Sequence, residues 1–239
     1  MIAKLLKSPI SIGSSAIKKS AVIGFFLHAC YLGGVFFAIS RGVSAGVAAV
    51  ITSLQPVLVS VLAVKVLGEK LQRIQGIGLL LGLSGVVLVL GPSFDNSVST
   101  LGICAVFIAL LGSTSATLLQ KKYGSEIPLL AGTAYQYLAS GFVLGMVAIA
   151  TGGTRIQWNI QFLGAIMWLI FALSVGAILL LLWLLNSGSA ASVSSLFYLV
   201  PPATAIEAYF LFGEKLNTQG LFGVAVTALG VWLVIKSAN

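Results

Sequence analysis

Apolar residues in this chain come in long unbroken runs rather than in alternation, and each run ends at a short polar or glycine-containing break. Runs long enough for a helix to cross a hydrocarbon core, about 20 residues, cover 21–40, 44–66, 74–91, 101–119, 128–150, 162–185, 191–211 and 219–235. The breaks are Arg41-Gly42, "LGEKL" at 67–71, "GPSFDNS", "KKYGSEIP", "TGGTRIQW", "NSGS" and "FGEKL" at 212–216. A membrane β-strand alternates polar and apolar positions, whereas these runs are apolar on every side. The pattern predicts an all-α polytopic membrane protein of about eight transmembrane helices joined by short loops.

Composition agrees with that solvent. With 59% hydrophobic and 8% charged residues, the chain has too little polar surface to cover a water-facing globule. Its excess of 13 Lys+Arg over five Asp+Glu is unevenly spread. With the N-terminus inside, one face collects Lys4, Lys7, Lys18, Lys19, Lys70, Arg73, Lys121, Lys122 and Lys236, while the other receives Arg41, Arg155 and Lys215. Lys and Arg concentrate in cytoplasmic loops, so the expectation is a multi-pass protein of the cell membrane with both termini cytoplasmic. Residues 1–20 then form a basic cytoplasmic segment, lacking the apolar stretch and cleavage site of a secretory signal. No basic stripe carries interleaved aromatics, so nucleic acid is not an expected partner.

Cys30 and Cys104 lie in apolar runs with no Cys or His at a metal-binding spacing, and both are expected to be buried thiols. No HExxH, GxSxG, paired-carboxylate or GxxxxGK[ST] pattern occurs. No catalytic residue, metal ligand or cofactor is therefore expected, and the chain does not read as an enzyme.

The two pentapeptides belong to a longer repeat. Laid over 189–234 without a gap, at a constant offset of 145 residues (Glu69 on Glu214), residues 44–89 give 14 identities. Composition alone would give about four or five. Among them are Ser44/Ser189, Ala45/Ala190, Pro56/Pro201, the block Gly68–Leu71 on Gly213–Leu216, Gly78/Gly223 and Gly85/Gly230. Five predicted spans separate Glu69 from Glu214, an odd number, so the second copy enters the bilayer from the opposite side. This is an inverted-topology repeat, the arrangement that lets two halves rock about a midplane site. Gly68-Glu69 and Gly213-Glu214 are read as a helix-end motif, placed at interfaces where charge is tolerated.

The segments at 45–90, "AGVAAVITSLQPVLVSVLAVKVLGEKLQRIQGIGLLLGLSGVVLVL", and at 190–234, "AASVSSLFYLVPPATAIEAYFLFGEKLNTQGLFGVAVTALGVWLV", resemble the EamA-type transporters of the drug/metabolite transporter superfamily. Both carry a small-residue start, a mid-helix Pro, a GE-x-L helix end and a terminal G-V helix. The resemblance implies ten helices in two five-helix repeats and export of small metabolites or amino acids. Here 101–236 accounts for a complete five-helix repeat and 21–91 for a partial repeat of three, so the first two helices are wanting. Two readings of that short front stand open: a truncated chain, or a shortened carrier. The leading function is a secondary transporter exporting a small polar or amphipathic solute by alternating access. The alternatives are a non-transporting assembly partner, completed by a homodimer or a partner chain, and a flippase of lipid or lipid-linked sugar.

Polar groups inside spans are costly unless paired or facing a cavity, which makes them the candidates for substrate contact. Val200, Thr204 and Glu207 share a helix face, and the equivalent first-repeat row is Gln55, Val59 and Leu62. Gln55, Thr204 and Glu207 are thus placed toward one cavity. Pro56, Pro201 and Pro202 are expected to kink their helices, and a bend there would bring Tyr198 toward the same space. His28 and Tyr31 share a face of the first span, and Thr133, Gln136 and Ser140 a face of the fifth. The pairs Gly42/Gly46, Gly78/Gly82 and Gly141/Gly145 are read as close helix-packing sites.

Overall fold

A computed structural model describes residues 12–90, 99–153, 157–203 and 218–237. Among them every regular element is helical. In chain order they are α1 (Ser14–Ser40), α2 (Ala45–Thr52 continued by Gln55–Val66), α3 (Arg73–Leu90) and α4 (Thr100–Tyr123). They continue with α5 (Leu129–Ala150), α6 (Ile160–Ser187), α7 (Ala190–Ala203) and α8 (Thr218–Lys236). Six of these are long and apolar enough to cross a membrane, and α3 and α7 are shorter apolar helices. The seventh expected span, 191–211, runs beyond Ala203 into residues outside the described set. At the front, α1 starts at Ser14, so Lys18 and Lys19 sit on a helix rather than in a separate basic segment.

The repeat is visible in the backbone. Ser44 caps α2 by accepting the N–H of Val47 at 3.2 Å, and Ser189 caps α7 by accepting that of Ser192 at 3.1 Å. A capping serine satisfies an amide that the first helical turn leaves open. Each helix then falters ahead of its proline. In α2 the break is at Ser53 and Leu54 before Pro56; in α7 a tighter turn occupies Leu196–Leu199 before Pro201. Proline brings no N–H and clashes with the preceding turn, so a helix loosens or restarts there. A matching pair of π-helical stretches follows nearly the same offset, Phe25–Leu32 in α1 and Leu169–Ala177 in α6. Such widened turns occur preferentially at functional positions.

Two helices from different halves of the chain, α3 and α8, lie along one another, and glycines let their backbones touch. A Cβ added at Gly78 would stand 2.7 Å from the carbonyl oxygen of Gly230, and one at Gly85 would stand 2.8 Å from that of Gly223. Gly78 is the repeat equivalent of Gly223, and Gly85 that of Gly230. Each position therefore meets the partner of the other, which is the contact pattern of two antiparallel copies about a local two-fold axis. Gly141 and Gly145 behave differently: no described atom lies within 4 Å of a Cβ at either, so they are not at a helix interface within the described chain.

The contacts sort the loops onto two faces. Lys19 bonds Glu126 at 2.5 Å, Lys121 donates to the carbonyl of Gly188 at 2.5 Å, and Glu69 reaches Ala190 at 3.0 Å. The start of α1 and the loops α2–α3, α4–α5 and α6–α7 thus share one face. At the other, Gly102 at the start of α4 lies beside Val43 and Arg41, and Gln219 donates to Leu88. Ser44 and Ser189, equivalent in the repeat, stand on opposite faces.

Helix α4 is central and α6 peripheral: 61% of the apolar window of α4 is buried inside the protein, against 6% for α6. Side chains on α6 such as Trp168, Phe171 and Leu180 are exposed, as a lipid-facing helix requires. Cys104, expected to be buried, is exposed on the outer face of α4, and Cys30 is half-buried. An apolar run marks the span but not which of its faces turns to lipid.

Candidate functional site

Between α1, α2, α4, α6 and α7 lies a cavity of about 150 Å³. Among the described residues its polar groups come from three of the five helices: His28 and Tyr31 of α1, Thr52, Ser53 and Gln55 of α2, and Ser113, Thr117 and Gln120 of α4. As far as the described residues go, the opposing wall is apolar, formed by Ile178, Leu181, Leu182 and Leu185 of α6 with Phe197, Val200 and Pro201 of α7. Among the described lining residues none is charged.

Local structure aims these groups. The break in α2 at Ser53 and Leu54 ends one helical segment and begins another at Gln55, so both segment ends point their polar groups at the cavity. Thr52 and Ser53 donate their hydroxyls back to the carbonyls of Ala48 and Val50, at 2.8 and 2.6 Å. Ser113 likewise returns its hydroxyl to Leu110 at 3.0 Å. These three are satisfied within their own helices.

Gln55 and Thr117 are joined to each other instead. The Gln55 amide donates to the Thr117 hydroxyl oxygen at 3.1 Å, bridging α2 and α4. Both side chains are 4% exposed, so what this pair leaves over is directed at the cavity rather than at water. Next along α4, Gln120 accepts from Gln136 of α5 at 3.1 Å and donates to Asn186 at the end of α6 at 3.5 Å.

His28 is 4% exposed, lies within the π-helical stretch of α1 and stacks on Tyr137 of α5, with ring centroids 4.5 Å apart. Its Nε2 has no hydrogen-bond partner among the described residues. Tyr137 in turn donates to the carbonyl oxygen of Ser174, within the π-helical stretch of α6, at 3.2 Å. The two widened turns are thus tied through one aromatic pair.

Gln55, which the sequence placed toward a cavity, and His28 and Tyr31, which it placed on one face of the first span, all line the cavity. Of the prolines, Pro201 lines it while Pro56 and Pro202 are buried outside it. Tyr198 is a correction: it is fully buried against Leu79, Val86, Val231 and Val234, with its ring over Gly82, and belongs to the α3–α8 core. Gln136 and Ser140 do not line the cavity either. Gln136 supports it through Gln120, and Ser140 bonds the carbonyl of Gln136 within its own helix at 2.8 Å. Thr204, Glu207, Gly213 and Glu214 lie outside the described residues. Gly68 takes the left-handed φ of +69° that ends α2, after which Glu69 turns to another helix.

Thr52 and Ser53 of α2 went unnoticed in the sequence, and so did three polar cavity residues of α4: Ser113, Thr117 and Gln120. Their spacing by four and then three puts them on one helix face, and that periodicity within an apolar run was the available signal.

The chain was also compared with known proteins. The model of the "EamA-like transporter family" matches residues 1–91 and 100–236. The uncharacterized transporter YvbV of Bacillus subtilis is 27% identical over 192 residues, covering 80% of this chain and 63% of its own length. A WAT1-related chloroplastic protein of Arabidopsis thaliana is 25% identical over 236 residues, 95% of this chain and 56% of its own length. The uncharacterized inner membrane transporter YedA of Escherichia coli K12 is 29% identical over 220 residues, 90% of this chain and 70% of its own. The chain thus spans less than two thirds of the length of the first two relatives. A solved crystal structure superposes with a TM-score of 0.79 at 17% identity, over 95% of this chain and 80% of the other, a likeness of fold alone.

Proposed function

This chain belongs to the EamA-like transporter family, and we propose that it carries a small metabolite across the membrane by alternating access to the cavity between α1, α2, α4, α6 and α7. One observation carries the reading. Gln55 and Val200 occupy the same position in the two copies of the repeat, and so do Thr52 and Phe197, and all four line one cavity. The copies enter from opposite faces, so a rocking motion that opens the site on one side closes it on the other. The break in α2, the tightened turn in α7 and the paired π-helical stretches supply places for such motion.

The direction is outward and the chain sits in the cell membrane with both ends cytoplasmic. The clustering of Lys19, Lys70, Lys121 and Lys122 at the face shared by three loops supports that orientation. The relatives' names, two of them transporters, support transport over enzyme chemistry.

The test is a cysteine placed at Thr52, with Cys30 and Cys104 replaced, in liposomes holding the full chain. Impermeant maleimide is expected to reach it from either face. Labelling from one face only would overturn alternating access. A second arm follows uptake of a labelled panel of amino acids, nucleosides, sugars and neutral aromatic amides. Saturable uptake of at least one is expected, and none above protein-free liposomes would remove the carrier reading.

A further inference from the structure

The α2 and α7 walls of the cavity differ although the repeat builds them from equivalent positions. Where the first copy places Thr52 and Gln55, the second places Phe197 and Val200. Nothing in the duplication requires that difference, and among the described residues it gives the cavity a polar side and an apolar side.

The polar side has unused capacity of a definite kind. Gln55 and Thr117 share one hydrogen bond, and neither side chain makes another among the described residues. An amide and a hydroxyl joined once retain both a donor and an acceptor, and this holds in either orientation of the amide. Burying such groups without partners costs free energy, which a ligand that pairs with them recovers. His28 lines the same cavity, but its unpartnered Nε2 is itself buried, so the open hydrogen-bonding capacity is that of Gln55 and Thr117.

Size narrows the ligand. A cavity of about 150 Å³ matches, in order of magnitude, an apolar cavity of about that volume that takes benzene. The opposing Leu181, Leu182, Phe197 and Val200 present the surface on which a ring or branched aliphatic body packs.

Resting on the carrier reading of this same site, we infer that its solute has an apolar body about the size of one aromatic ring and a single head that both donates and accepts hydrogen bonds, an amide or a hydroxyl. The head docks between Gln55 and Thr117. The body lies against α6 and α7.

The experiment uses the full chain in lipid nanodiscs and tritiated benzamide, with empty nanodiscs subtracted. Saturable binding is expected. Phenol and benzyl alcohol, which keep both ends, should compete; toluene, without the head, and acetamide, without the body, should not. Thr117→Val is expected to weaken benzamide about tenfold, the loss of one hydrogen bond, while Thr117→Ser, which keeps the hydroxyl, binds as the wild type does. The double variant F197T/V200Q copies the first repeat into the second and should let acetamide compete. Competition by toluene equal to that by phenol would overturn the polar side, and competition by acetamide in the wild type would overturn the apolar one. An unchanged affinity in Thr117→Val would remove Thr117 from the site. Uptake of some solute in liposomes with no benzamide binding in nanodiscs would sink the solute class and leave the carrier reading standing. Binding without uptake of any solute would do the reverse.

Discussion

The carboxylate of Glu69 accepts the backbone N–H of Ala190 through both oxygens, at 3.0 and 3.2 Å. Glu69 follows the last turn of α2 and Ala190 opens α7, so the acidic residue of one repeat caps the helix that begins the next matching segment. A carboxylate at a helix N-terminus satisfies an open amide and complements the helix dipole.

Removing that cap should loosen the join between the repeats. Glu69→Ala is expected to lower stability by about 1–2 kcal/mol, the usual worth of an N-terminal cap with its charge. Glu69→Gln, which keeps an acceptor and loses the charge, should cost roughly half as much. Thermal unfolding in detergent, followed by tryptophan fluorescence, reads both. Equal stability of Glu69→Ala and the wild type would show that the bond contributes nothing.

Close packing of α3 on α8 depends on atoms that are absent. A Cβ at Gly85 would fall 2.5 Å from the amide nitrogen of Thr227 and 2.8 Å from the carbonyl of Gly223, both backbone atoms that cannot rotate away. Gly85→Ala should therefore cost about 1–3 kcal/mol by overpacking. On the same helix Gly76 has no neighbour within 4 Å of its Cβ. Gly76→Ala is expected to be neutral, or to stabilise by up to about 1 kcal/mol through helix propensity. The same unfolding assay distinguishes the two, and similar losses at both positions would contradict the contact described.

Topology has its own measurement. Single cysteines at Ser44 and Ser189, in a chain with Cys30 and Cys104 replaced, should react with impermeant maleimide from opposite faces of sealed vesicles. The two serines cap equivalent helices, and the loop of Ser189 lies beside Glu69, at the far end of α2 from Ser44. Reaction from the same face would make the two copies parallel and end the inverted-repeat description.

How the site divides between sequence and structure follows from the lipid. The 145-residue offset, the matched serines and prolines and the apolar runs are properties of the chain alone. They determined that the protein is helical, spans the membrane repeatedly and contains two oppositely entering copies. Rotation of each helix about its axis was not determined that way. In water, burial separates the inner face of a helix from the outer; in a bilayer, lipid and protein interior are similarly apolar, and the periodicity that would mark the inner face fades. Tyr198 and Gln55 both looked like cavity groups, yet Tyr198 is packed on Gly82 in the α3–α8 core and of the two only Gln55 lines the cavity. Cys104 faces outward from a helix whose other side is the centre of the molecule. Packing of α4 against its neighbours brought Thr117 to Gln55, and the return of α7 to the end of α2 brought Ala190 to Glu69. These contacts join residues 62 and 121 positions apart, beyond the reach of any local pattern.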